Sequence, residues 1–543
     1  MNKTIRSIAK SKLSRRVRYL LITSFASLLV CTATMIGAQA ADGDLDPAFG
    51  NGGRVTTDFT LNDRVNAVAI QPDGKIIAAG GVGALLTLVR YNTDGTIDST
   101  FGDNGKVTDP TSSLAFDVIL QPDGKIIAVG SFGNLVMVRY NPDGSPDTSF
   151  GSNGKVTANF GFSTSANAAA LQPDGKIVVV GAVFTFEFIP ATNNFFCARF
   201  NPDGSPDTSF GTGGKVITDF LTGSNDIATD VCIQSDGKII AAGFTVSFAV
   251  GLFTGEDFAI LRYNPDGSLD NSFGSGGKVI TDVAVSLDFA SSAAIQRDGK
   301  LIVAGAIRFF VGGLDFGIVR YNPDGSLDSS FGSGGKVTTD FSSGFDEARG
   351  VIIDNKGRIV AAGFNTISDR TSFAVARYKS DGSLDASFGA KGLVTTDIPT
   401  EDSPGELVAE AYAVAIQRDG KIIAAGRRES HVRTGDDFAL VRYLSANYDI
   451  CIQDDGSGNT LEVNLTTGEY RFTSCSGFTL SGTGIIDQRG GVVTLRHNAS
   501  DRRILATINM IANKGTASIQ ALSQGARFAI TDRNITNNTC RCE

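Results

Sequence analysis

The chain has 543 residues, 64 glycines, no tryptophan and a net charge of −9 from 48 basic and 57 acidic side chains. That length exceeds what one ordinary core organises, so a repeat array or several domains is expected. The acidic excess is spread along the chain without any basic block, which argues against nucleic acid as a partner.

The N-terminus carries Lys3, Arg6, Lys10, Lys12, Arg15, Arg16 and Arg18, then a mostly apolar run from Tyr19 to Ile36, then Ala38-Gln39-Ala40. A basic segment, an apolar segment and a small-x-small cleavage site make a signal peptide. Residues 1–40 are therefore expected to be removed, and the mature chain to start at Ala41 in the periplasm, at the cell surface or outside the cell. A retained membrane anchor is the alternative. No second apolar run is long enough to span a membrane.

From there a repeat dominates. Gln71-Pro72-Asp73-Gly74-Lys75 returns at Gln121, Gln172, Gln234, Gln296 and Gln417, and Asp354-Asn355-Lys356-Gly357-Arg358 fills the gap. A second signature is an Arg-aromatic pair followed eleven residues later by Phe-Gly, with Phe49, Phe101, Phe150, Phe210, Phe273, Phe331 and Phe388 opening the seven Phe-Gly pairs. Each unit holds four strand-like runs. In the first copy these are Val65 to Gln71 (A), Lys75 to Gly80 (B), Leu85 to Tyr91 (C) and Lys106 to Thr108 (D), with Pro-Asp-Gly as a tight turn between A and B. Four antiparallel strands per unit predict a propeller blade. The last unit stops at Arg442-Tyr443 without strand D, while Arg54 to Phe59 supplies a strand before the first full unit. The fold class is therefore all-β: a seven-bladed β-propeller closed by its N-terminal strand, over residues 41–444. An open β-solenoid would not need complementary ends.

The two motifs together, Gln-Pro-Asp-Gly-Lys-Ile-Ile-Ala-Ala-Gly and Arg262-Tyr263-Asn264-Pro265-Asp266-Gly267-Ser268-Leu269-Asp270-Asn271-Ser272-Phe273-Gly274, resemble the bacterial delta-60 repeat over about residues 42–443. The resemblance implies a β-propeller on an exported bacterial protein. It brings no catalytic residues.

The recurrent Asn-Pro-Asp-Gly-Ser segment offers oxygens at Asn264, Asp266 and Asp270, but it lacks the alternating carboxylates and distal glutamate of a calcium loop, so an Asx turn is expected. The Arg of each Arg-aromatic pair (Arg90, Arg139, Arg199, Arg262, Arg320, Arg377, Arg442) and the Asp eight residues later are expected to pair as scaffold, with Asp46 completing the last blade. Each Phe should plug the space between blades. Cys197 and Cys232 lie in strand patterns as buried thiols.

Catalysis finds little support. His431 and His497 stand apart from any nucleophile motif. No cofactor and no metal site is expected. Asp117 and Asp230 occupy equivalent strand-A positions beside the axis and are channel candidates for a cation or substrate.

The A–B turns and C–D connections are constant, whereas the B–C and D–A connections vary in length and share one face. Function on a propeller is expected in such loops. The candidate ligand-binding residues there are Phe184, Phe186, Phe188, Phe248, Phe253, Glu256, Asp257, Phe309, Phe310, Asp315, Asp436 and Asp437. Strand lengthening is the simpler account of the apolar ones, and a solvated loop that of Asp436 and Asp437. The expected function is a non-catalytic scaffold for an extracellular protein or glycan. A propeller hydrolase or lyase using loop or channel carboxylates is the alternative.

Residues 445–543 hold no copy of the repeat. Alternating runs such as Thr460 to Leu465 predict a small β-domain. In an oxidising compartment its Cys451, Cys475, Cys540 and Cys542 are expected to form two disulfides, with three connectivities open.

Overall fold

The computed structural model describes residues 41–445, except 60, 111–113, 186–191, 250–251, 285–286, 309–312, 343, 369, 400–407 and 431–434, together with the backbone of nine strands between Ile450 and Arg533. Residues 1–40, the expected signal segment, lie outside the described residues. Among those described, no helix is long and apolar enough to cross a membrane.

Seven four-stranded antiparallel sheets follow one another as blades. The first blade runs Asp63–Ile70 (A), Ile76–Val82 (B), Leu85–Tyr91 (C) and Lys106–Thr108 (D). The strand identities match the sequence expectation, and A and B each extend two residues further toward the variable face. The A strands of the next five blades are Leu114–Leu120, Ser163–Leu171, Asn225–Ile233, Leu287–Ile295 and Phe345–Ile353. Strands B and C are almost continuously buried because they are packed on both faces by neighbouring blades.

The seventh blade is composite. Ala409–Ile416, Ile422–Ser430 and Gly435–Tyr443 supply A to C, and Arg54–Thr57 adds the fourth strand in register Arg54↔Val441 to Thr57↔Phe438. Four backbone bonds continue the seam: Gly43 N–H to Leu444 O and Leu444 N–H to Asp44 O at 2.8 Å, and Asp46 N–H to Arg442 O and Arg442 N–H to Gly53 O at 2.9 Å. Closure pairs the outer side of Gly435–Tyr443 and leaves Arg54–Thr57 outermost, where strand D lies in the other blades.

The repeated motifs lock the constant face. In the fourth blade Arg262 Nε lies 2.7 Å from Asp270 Oδ2, Lys238 Nζ reaches the same oxygen at 2.9 Å, and the guanidinium stacks 4.6 Å from the Phe273 ring centroid. Arg262 Nη1 also donates to the Pro323 carbonyl of the next blade. The Phe-Gly amide crosses the same boundary, with Gly274 N–H donating to Asp324 O at 2.8 Å. Arg-over-Phe stacking recurs in all seven blades, and the seven phenylalanines are at most 1 % exposed. The expected Asx turns are present: Asp266 Oδ1 accepts from Ser268 N–H at 2.9 Å and Oγ at 2.7 Å. Gly267 has φ +89°, and a Cβ there would stand 2.8 Å from Gly211 N of the preceding blade, so only glycine permits this approach.

In the tail, the described strands form one sheet of four between Ile450 and Thr483 and one of five between Ile485 and Arg533. The side chain of Cys451 and all of Cys475, Cys540 and Cys542 lie outside the described residues. Cys197 is buried and free. Cys232 is free and half-buried, with Sγ 3.3 Å from the Ala293 carbonyl.

Candidate functional site

Every A strand carries a β-bulge at its middle. The bulged residues, Asn66, Phe116, Asn167, Thr229, Ser291, Arg349 and Tyr412, project into a central cavity of about 340 Å³. Some reach sideways to the next blade: Asn66 Nδ2 donates to Ala115 O and Asn167 Nδ2 to Ala228 O, both at 2.7 Å, and Thr229 Oγ1 to Ala290 O at 2.9 Å.

Asp117 and Asp230, the channel candidates, follow the bulge. Asp117 Oδ1 accepts from Val118 N–H at 2.7 Å and Oδ2 from Ala169 N–H of the next blade at 2.8 Å. Asp230 accepts from Val231 N–H, Ala293 N–H and Ser292 Oγ at 2.7, 2.7 and 2.9 Å. Both therefore stitch neighbouring A strands. Burial, with Asp230 adding repulsion, pushes Asp117 up to about 7, and burial also raises Asp230.

A charged chain that sequence reasoning missed leads from this cavity to the rim. Arg349 pairs with Glu347 (Nε–Oε1 and Nη2–Oε2, both 3.0 Å) and lies 5.9 Å from the Tyr412 ring centroid. The Tyr412 hydroxyl donates to Glu410, which takes Arg427 Nε at 2.9 Å, and Arg427 Nη1 holds Asp436 at 2.6 Å. Asp437 is held in turn by Arg428. Asp436 and Asp437 thus sit in strand Gly435–Tyr443, ion-paired, and not in a solvated loop.

Among the other candidates, Phe184 ends a B strand half-buried, 6.1 Å from Phe162. Phe248 and Phe253 face each other in backbone register near the tip of the longest hairpin, Ile239–Ala249 with Leu252–Tyr263, so strand lengthening holds for this insertion. Glu256 and Asp257 stand farther down the same C strand, and Asp315 stands at the equivalent place in the fifth blade. Phe186, Phe188, Phe309 and Phe310 lie outside the described residues.

The variable face also exposes apolar side chains that no insertion marks. Phe132 is 72 % exposed, Phe162 71 %, Phe345 51 % and Leu61 50 %. They occupy a B–C turn, a D–A connection, the start of an A strand and a second D–A connection, so all four emerge on one side of the ring.

Ring closure and the seven equivalent blades define a closed β-propeller. The chain belongs to the family described as a domain of unknown function (DUF5122) beta-propeller, whose repeat matches residues 71–101, 121–150, 172–210, 234–273, 296–331, 357–388 and 417–446. No curated protein matches it. Similar solved structures include selenomethionine-substituted virginiamycin B lyase from Staphylococcus aureus, 9 % identical with TM-score 0.41, covering 72 % of this chain and 98 % of that one. An ulvan lyase of family PL25 is 13 % identical with TM-score 0.41, covering 72 % and 96 %. Likeness at this level bears on neither substrate nor mechanism.

Proposed function

We propose that this chain is an exported binding scaffold that docks an extracellular protein or glycan on the face of the B–C and D–A loops. One contrast between the two faces carries the proposal. The constant face uses its charged residues on itself, in seven copies of the same Arg–Asp clamp. The opposite face exposes Phe132, Phe162 and Phe345, and the ring encloses a cavity lined by Arg349 and Tyr412. Exposed aromatics on a rigid rim favour association. Burial and the neighbouring Glu410 push the Tyr412 hydroxyl further up, so it stays protonated and presents a hydrogen-bond donor to the cavity wall.

Export rests on the sequence of residues 1–40, and N-terminal sequencing of secreted protein should return Ala41. The tail cysteines are proposed to form two disulfides, which non-reducing mass spectrometry would reveal as the loss of four thiols. The docking proposal is tested on glycan and cell-surface arrays. Wild type should bind, and a variant with Phe132, Phe162 and Phe345 all changed to serine should not. A broad activity screen runs beside it. Binding that responds only to changes in the C–D loops would defeat the assignment.

A further inference from the structure

Each junction between blades brings three positions together on the variable face: the start of strand A in one blade, and the strand-C residue five before its arginine and the residue after strand D in the blade before it. Between the fourth and fifth blades these are Asp288, Asp257 and Asp282. Between the fifth and sixth they are Asp346, Asp315 and Asp340. In each trio, one carboxylate oxygen from every residue lies within 4.8 Å of the others. At the seam the same positions hold Asp63, Asp437 and Asp58.

An acidic cluster is by itself an ordinary surface feature. The junction of the fourth and fifth blades adds a buried oxygen with nothing to bond. The strand-A aspartate turns Oδ2 to backbone N–H groups of the D–A loop: Phe59 to Asp63 at 2.7 Å, Phe220 to Asp226 at 2.8 Å, Val283 and Ala284 to Asp288 at 2.6 and 2.9 Å, and Phe341 to Asp346 at 2.6 Å. The other oxygen depends on the neighbour in strand B. Thr245 Oγ1 donates to Asp226 Oδ1 and Asn365 Nδ2 to Asp346 Oδ1, both at 2.5 Å. The residues opposite Asp63 and Asp288 are Val82 and Ile307, which have nothing to donate. Oδ1 of both aspartates is left without a partner, although both residues are 0 % exposed.

At the seam the chain brings its own cations. Arg428 holds Asp437, and Lys106 acts electrostatically on Asp63. At the junction of the fourth and fifth blades it brings more anions. The parallel bridge Glu256↔Leu287 sets Glu256 beside Asp288, and Glu256 Oε2 is likewise occluded and unpartnered. The nearby Lys336 donates to the Asp282 carbonyl oxygen at 2.5 Å. Among the described residues, none of the four carboxylates is ion-paired.

We propose that Asp257, Asp282, Asp288 and Glu256 bind a hard divalent cation of the calcium class, joining the fourth blade to the fifth. All-oxygen anionic ligands select calcium, magnesium or manganese over zinc or copper. Donors from three separate strand ends suit the tolerant geometry of calcium better than the strict octahedron of magnesium. Without a cation, burial and mutual repulsion push Glu256 up to about 7 and Asp288 up to about 6. The cation would also fix the base of the longest hairpin.

The test is calorimetric titration of the chelator-treated full chain with CaCl2, and with MgCl2 in parallel. Saturable calcium binding is expected, weakened about tenfold or more by Asp257→Asn, which removes roughly 1.4 kcal/mol of binding. Asp282→Asn should weaken it similarly while leaving the backbone bonds to Asp288 in place, so it serves if Asp257→Asn or Asp288→Asn folds poorly. Asp315→Asn, at the next junction, should bind as wild type does. Calcium should raise the melting temperature of wild type and not of the first two variants. Three results would each overturn the proposal: no saturable binding at ~10⁻³ M calcium, the weak end for extracellular modules; binding that survives both Asp257→Asn and Asp282→Asn; or binding lost only in Asp315→Asn.

Discussion

Arg442 and Asp46 form an ion pair across the seam of the ring, Nε to Oδ2 at 2.9 Å, each side chain 5 % exposed. It takes the place of the clamp that Arg262 and Asp270 make within one blade, divided here between the two ends of the propeller and held as an ion pair without the aligned hydrogen bond of the other copies. Lys421 Nζ joins it at 3.1 Å, as Lys238 joins Asp270.

Asp46→Ala leaves the guanidinium of Arg442 buried without its carboxylate. Breaking such a pair costs about 3 kcal/mol. Deleting Asp42 to Phe59 also removes a whole strand and should lower the melting temperature further and promote oligomers through the exposed edge. Calorimetry with size-exclusion chromatography checks both. A deletion that melts as wild type and stays monomeric would refute closure as a source of stability.

Phe273→Ala empties a fully packed position beneath Arg262. The expected loss is about 3–5 kcal/mol in denaturant unfolding. Phe132→Ser, on the exposed rim, should change stability by no more than about 0.5 kcal/mol. Equal costs for the two would contradict the contrast between plug and rim.

The carboxylates divide into two groups with opposite pH behaviour. Although burial opposes it, hydrogen bonds from serine, threonine and lysine, with the paired arginine, hold Asp98, Asp147, Asp207, Asp270 and Asp328 well below the usual range. Their stabilisation is present above the unfolded pKa of about 4 and fades as pH falls below it. Burial pushes Asp63, Asp288 and Asp315 up to about 6, and Glu256 and Asp117 to about 7. These groups favour the fold below their unfolded values of about 4, and that contribution is lost progressively as pH rises from there through about 6 to 7. In chelator, the melting temperature should therefore peak near pH 4, about where the gain from the first group ends and the loss from the second begins. A steady rise to pH 8, about a unit above the highest raised group, would contradict the assignment.

Asp117→Ala removes the acceptor for Ala169 N–H and should cost about 1–3 kcal/mol. Asp117→Asn keeps an acceptor and removes repulsion with Asp230, so its loss should be smaller and the pH response near 7 flatter. Identical melting curves for the two variants would show that the interblade bond carries no weight.

The blades, their number and their closure were legible because the signals are local and periodic. Pro-Asp-Gly makes its own turn, and Arg262 finds Asp270 eight residues on. The site was far less legible. Sequence reasoning selected Asp117 and its equivalents beside the axis but passed over the bulged neighbours, Arg349 and Tyr412 among them. A bulge is set by pairing between strands, and the residue type there varies from blade to blade, with only asparagine recurring, at Asn66 and Asn167. Phe132 and Phe162 escaped because exposure follows from what packs nearby. The acidic trios combine positions separated by a blade boundary. Their one visible trace was the acid after strand D, as in Thr57-Asp58, Thr218-Asp219, Thr281-Asp282 and Thr339-Asp340.

The amide of each Phe-Gly pair always donates forward, to the aspartate carbonyl of the following blade, and Gly389 N–H completes the circuit by donating to Asp42 O at 2.8 Å. A loop of bonds that all run in one direction has no privileged starting blade. The place where synthesis begins is then interchangeable in energetic terms. A gene rearranged to open the chain in another D–A connection, with the present seam bridged by a short linker, should yield the same ring.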